Sequence, residues 1–149
     1  MKSPDFPNAG ETHQFVRVLV VDDSEPWCRF VSGVVATEQE WQLIGEASDG
    51  LEAVDMAQHL QPDLILLDIG LPKLNGLEAA RQIHAVAPKA KILYVSENRS
   101  REIADAALTN GAGGYVVKSD AGKDLLPAIR AVLEGKRFIS TSLAGPLLK

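Results

Sequence analysis

Four ionisable residues stand at the ends of apolar runs, and they carry the chemistry this chain can do. Asp22 and Asp23 close VRVLVVDD, Asp68 closes DLILLD, and Lys118 closes GYVVK. Clustered carboxylates suit a hard, oxygen-seeking cation such as Mg²⁺. An ammonium suits a phosphoryl oxygen. Carboxylates brought together without a basic partner repel one another, and a divalent cation relieves that repulsion. Whether the four groups meet depends on the elements that carry them.

Those elements alternate. Residues 16–21 form a nearly continuous apolar run, the pattern of a strand covered on both faces. Trp27, Phe30, Val31, Val34 and Val35 then recur at helical spacing, with Pro26 early in the helix, where its missing N–H costs nothing. Residues 42–47 read as a weaker strand, 63–67 as a third, 91–96 as a fourth and 114–117 as a fifth. The helices between them point Ala53, Val54, Ala57 and Leu60 inward, then Ala79, Ala80, Ile83, Val86 and Ala87, then Ile103, Ala106 and Ala107. The last helix uses Leu125, Leu126, Ile129, Val132 and Leu133. Pro62, Pro88, Asn110–Gly111 and Gly135 provide the stops.

Five strands alternating with five helices predict an α/β fold, a doubly wound parallel sheet. Short right-handed crossovers leave few topologies. The flavodoxin-like order 2-1-3-4-5 sets the first and third strands side by side, so Asp22, Asp23 and Asp68 converge at the carboxyl edge, where such sheets bind ligands.

Composition narrows the setting. The chain of 149 residues fits one domain, and its 46% hydrophobic share supports a core. We expect a flexible lead-in over 1–14, the folded domain over 15–137 and a linker-like tail over 138–149. A net charge of −5 argues against binding nucleic acid directly. One cysteine, Cys28, excludes an internal disulfide and fits a reducing, cytoplasmic setting. No apolar stretch approaches the roughly 18 residues of a membrane span, so no membrane role is expected.

Taken singly, each residue has an ordinary reading. Asp22 or Asp23 could cap the next helix, and Lys118 could be a solvated charge. Asp68 could open a turn, with Pro72 and Gly76 nearby. Ser96 could cap a helix, and Tyr115 could be sheet packing. Jointly, these readings leave unexplained why every charge falls at a strand's carboxyl end. Elsewhere the ordinary readings stand: His59 and His84 are surface residues without ligand spacing, Cys28 is a small buried hydrophobe, and Arg99 and Arg101 form a solvated face. Trp27 packs in part, and lies close enough to the acidic pair to overhang the site.

The acidic pair after the first strand, Asp68 after the third, Ser96 after the fourth and Lys118 after the fifth resemble the receiver domain of bacterial two-component response regulators. DIGLPKLNGLEAARQI is similar to the segment around a receiver's phosphorylated aspartate. GAGGYVVKSDAGKDLLPAIRAVLEGKRFIS resembles the end of receivers that precede a LuxR-type helix-turn-helix. The resemblance spans about residues 16–140. It implies that Asp68 is the phosphoacceptor and that Asp23 and Asp68 ligate Mg²⁺, with Asp22 acting partly through water and the Gly70 carbonyl as a further ligand. Lys118 would pair with the phosphoryl group, Ser96 would hydrogen-bond it, and the Tyr115 rotamer would follow activation. The implied partners are a sensor histidine kinase, a second copy of the chain, and DNA only through an output domain that this chain lacks.

Two residues depart from the receiver pattern. Glu97 stands where a small residue usually follows the switch hydroxyl, and Ser119 stands where proline often follows the lysine. Two other functions compete. A haloacid-dehalogenase-like phosphatase needs a second acid two residues after the nucleophile, where this chain has Gly70, so we expect no enzyme. A pseudo-receiver that never takes phosphate is disfavoured by the complete set Asp22, Asp23, Asp68, Ser96 and Lys118.

Overall fold

The computed structural model describes residues 15–144; the expected lead-in over 1–14 and residues 145–149 lie outside them. The chain runs β1 (Val16–Val21), α1 (Glu25–Ala36), β2 (Trp41–Ala47), α2 (Gly50–Leu60), β3 (Leu64–Leu67), α3 (Gly76–Val86), β4 (Lys91–Ser96), α4 (Arg101–Thr109) and β5 (Gly114–Val117). A 3₁₀ turn (Lys118–Asp120), α5 (Ala121–Leu133), β6 (Phe138–Ile139) and α6 (Thr141–Ala144) follow. All strands are parallel, in the order β2-β1-β3-β4-β5-β6.

The alternation of side chains along each strand divides the core in two. Val18, Val20, Leu64, Leu66, Leu93, Val95 and Val116 pack with α1 and α5. Leu19, Val21, Ile65, Leu67, Ile92, Tyr94, Tyr115 and Val117 pack with α2, α3 and α4. Because both faces are covered, β3 and β5 read as unbroken apolar runs and β1 nearly so, and the first charged residue after each lands at the same edge.

The helices that leave this edge are fixed by side-chain caps. Ser24, Asp49, Asn75 and Ser100 accept the backbone N–H of Trp27, Glu52, Glu78 and Ile103. Each cap stabilises its helix start by about 1 kcal/mol and holds the loop before it in one path.

Several expectations need correction. The sheet has six strands, not five, and the described residues contain six α-helices, not five. Residues 138–144, expected to open a linker, hydrogen-bond to the β5 edge and dock on two aspartates of the preceding turn and helix. A two-residue strand has no periodicity to read; its place is set by what it meets. On α1, Phe30 is exposed while Cys28 is buried. On α4, Ala104 and Ala107 are buried and Ala106 is exposed, because alanine leaves too weak an apolar contrast to fix the face.

Candidate functional site

Register brings the acids together. Val21 of β1 pairs with Leu67 of β3, so Asp22 and Asp68 follow on adjacent strands. Oxygens of Asp22, Asp23 and Asp68 all lie within 4.8 Å of one another. That hard-oxygen donor set fits Mg²⁺.

Each acid has its own surroundings. Asp22 is buried; its Oδ1 accepts the Ser24 N–H at 2.9 Å, and its Oδ2 lies 2.7 Å from Lys118 Nζ. Asp23 is exposed. Asp68 Oδ1 accepts the Gly70 N–H at 3.1 Å, and its Oδ2 is 3.9 Å from Lys118 Nζ. Burial raises the Asp68 carboxyl above its ordinary value; the Gly70 N–H and Lys118 oppose this, and the negative charges of Asp22 and Asp23 add to it. The three acids are therefore not without a basic partner, since Lys118 neutralises Asp22.

The cleft beside Asp68 measures about 510 Å³ and is lined by Asp23, Ser24, Gly70, Ser96, Glu97, Asn98 and Lys118, among others. Every residue expected at the site lines it except Asp22 and Tyr115, both buried behind it. Ser96 Oγ accepts the Asn98 N–H at 3.0 Å, and the fully buried Tyr115 donates its hydroxyl to the Asn98 carbonyl at 2.8 Å. The Asn98 backbone thus joins the two switch candidates. Sequence reasoning missed it, because the contact uses main-chain atoms that any residue type provides.

Other contacts also went unread. Arg99 donates to Ser119 Oγ at 2.9 Å, tying the β4–α4 loop to the 3₁₀ turn. Arg101 donates to the Leu143 carbonyl at 3.2 Å as well as pairing with Asp105, so neither arginine belongs to a merely solvated face. The described residues contain no cis peptide bond, so Lys118–Ser119 is trans. Burial pushes the Cys28 thiol up to about 11, with Glu46 and Asp22 adding to the rise, which disfavours the thiolate at neutral pH. His59 and His84 are exposed.

Comparison with known proteins agrees with this geometry. The response regulator receiver domain family matches residues 18–130. The response regulator GacA of Pseudomonas viridiflava is 33% identical over 132 residues, 89% of this chain and 62% of that protein. The nitrate/nitrite response regulator protein NarL of Escherichia coli is 32% identical, over 85% of this chain and 58% of its own length. Among solved structures, a LuxR-family two-component response regulator from Aurantimonas sp. superposes with a TM-score of 0.82 at 30% identity, covering 88% of this chain and 94% of that one. The response regulator domain of Thermotoga maritima CheB gives 0.75 at 32%, covering 81% and 98%.

The chain belongs to the response regulator receiver family of two-component systems, whose members typically regulate transcription. It spans about 58–62% of the length of the GacA and NarL relatives. No helix among the described residues is long and apolar enough to cross a membrane.

Proposed function

We propose that this chain is a Mg²⁺-dependent phosphoacceptor switch, with Asp68 the residue modified. The observation that carries this reading is the convergence of Asp22, Asp23 and Asp68 oxygens within 4.8 Å, with Lys118 Nζ facing two of the three acids. An Asp68 oxygen attacks the phosphorus of the donor, the bond to the donor's leaving group breaks, and an acyl phosphate results. Asp22, Asp23, Asp68 and the Gly70 carbonyl would hold the cation. A bound Mg²⁺ supplies positive charge against the phosphoryl oxygens. Such transfer depends chiefly on positioning and electrostatics, and the strand ends preorganise both.

The chain's own groups do the rest. The Gly70 N–H fixes the Asp68 carboxylate, leaving its other oxygen toward Lys118. Lys118 then meets the new dianion. The Ser96 hydroxyl, whose oxygen accepts the Asn98 N–H, would donate its proton to a phosphoryl oxygen, and the resulting shift of Ser96 would move the Asn98 backbone that Tyr115 holds. Differential contact of this kind shifts a two-state equilibrium. Gly70 offers no second acid, so we read the site as a slow switch rather than a turnover enzyme. The donor is a sensor histidine kinase in the cytoplasm. The output is a change in self-association or in the activity of an output domain or partner.

The test is intact-mass measurement after incubation with Mg²⁺ and acetyl phosphate. Wild type gains one phosphoryl group and Asp68→Asn gains none. Equal uptake by both would place the acceptor elsewhere.

A further inference from the structure

The Lys118 ammonium has a third neighbour that charge pairing does not explain. It lies 5.1 Å from the centroid of the Trp27 ring, and its side chain is only 13% exposed. An indole face attracts a cation through its quadrupole, and more strongly where water is scarce. Trp27 is itself held. Its backbone N–H is capped by Ser24 Oγ at 3.3 Å, and its ring lies 5.2 Å from that of Phe30, tilted by 37°. Phe30 is 38% exposed, and this contact gives a solvent-facing aromatic a use.

We propose that Trp27 is a positioning residue for Lys118, holding the ammonium off the nucleophilic oxygen of Asp68. Two carboxylates compete for one cation here. Asp22, directly after β1, and Trp27, in the first turn of α1, flank one short loop, and together they draw the ammonium toward it. The outcome is the asymmetry of 2.7 Å to Asp22 and 3.9 Å to Asp68. An ammonium pressed against Asp68 would occupy the lone pairs needed for attack. One held just beyond contact leaves them free, yet stands ready for the arriving phosphoryl oxygens. This role rests on Asp68 being the phosphoacceptor.

The experiment uses the full chain with mono-, di- and tetrafluorotryptophan at position 27, together with Trp27→Leu and Trp27→Phe. Fluorination drains the ring face of electron density with little change of shape, so a packing role would not respond to it. The expected result is a stepwise fall in the rate of uptake from acetyl phosphate with each fluorine, Trp27→Phe between, and Trp27→Leu slower by about threefold to tenfold. A second readout needs neither metal nor phosphate. The ε-methylene protons of Lys118 should be shifted upfield by the indole ring current in wild type and return to ordinary positions in Trp27→Leu. Equal rates across the fluorinated series overturn the proposal, as does an unshifted Lys118 in wild type. If wild type takes up no phosphate at all, the phosphoacceptor reading fails and the kinetic role with it, while the ring-current shift still decides the positioning contact.

Discussion

Lys118 pairs more closely with Asp22 than with Asp68: its Nζ is 2.7 Å from the buried Asp22 Oδ2 and 3.9 Å from Asp68 Oδ2. The carboxylate most removed from water is therefore the neutralised one, while the exposed Asp23 and half-buried Asp68 keep theirs for a cation. We expect Mg²⁺ at ten times its Kd to raise unfolding stability by about 1.4 kcal/mol. Asp23→Ala should weaken binding by about tenfold or more, a loss of ~1.4 kcal/mol. Calorimetric titration and thermal unfolding measure both, and unchanged affinity in Asp23→Ala would remove that residue from the ligand set.

The raised Asp68 carboxyl makes a signed prediction about pH. Burial, aided by Asp22 and Asp23, favours its protonated form in the folded state. Its contribution to stability is full below the unfolded value of about 3.8 and is lost as pH rises through the folded value. Asp68→Asn should therefore be more stable than wild type at neutral pH, with the gap closing as pH falls through the carboxylate range. Urea unfolding at several pH values checks this. A gap that widens on acidification would contradict it.

The sequence showed the site because the strands are covered on both faces. Their apolar runs end abruptly, so Asp22, Asp68 and Lys118 mark strand ends without ambiguity, and adjacency of β1 and β3 brings the acids together. What stayed hidden depended on neighbours rather than residue type. The choice of Asp22 by Lys118 needs the indole of Trp27 in place. Asn98 acts through its main chain. β6 is read only from the β5 edge and the carboxylates that hold it.

Two glycines should respond in opposite ways to the same change. A Cβ on Gly76 would lie 2.3 Å from the Asp68 carbonyl oxygen and 2.6 Å from Ile69 Cα, both backbone atoms of the acceptor loop. Gly76→Ala should cost about 1–3 kcal/mol and slow phosphoryl uptake by displacing Asp68. A Cβ on Gly33 meets nothing within 4 Å, and the site is an exposed helix position. Gly33→Ala should stabilise by about 0.5–1 kcal/mol and leave uptake unchanged. Denaturant midpoints with uptake rates test the pair.

Asp124 secures the C-terminal segment. It is buried, and its carboxylate accepts the Thr141 N–H at 2.9 Å and the Thr141 hydroxyl at 2.8 Å. Ser140, fully buried, donates into Asp124 and Asp120 and accepts the Val117 N–H of β5 at 3.1 Å. Asp124→Ala would strand the Thr141 N–H and hydroxyl, at about 2–3 kcal/mol, while Ser140 keeps Asp120. Amide exchange should then speed over 138–144 well before it speeds over β1 and β3. Uniform acceleration across the chain would show that the segment is not a separate docking unit.

Glu97 offers the sharpest test of the chain's departure from its family. It is exposed and lines the same cleft as Asp68 and Lys118. Its charge opposes the approach of an anionic donor, weakly, because water and salt screen it. On the proposed reaction, its bulk would hinder the water that hydrolyses the acyl phosphate. Glu97→Ala should therefore speed both uptake from acetyl phosphate and later loss of the phosphoryl group, each by about threefold to tenfold, or ~0.7–1.4 kcal/mol of barrier. Glu97→Gln separates the causes: restored uptake in Gln, with wild-type uptake rising at high salt, assigns the first effect to charge. Slow hydrolysis retained in Gln assigns the second to bulk. Both rates of Glu97→Ala within a factor of about two of wild type, under ~0.4 kcal/mol, would make Glu97 a bystander at the cleft mouth.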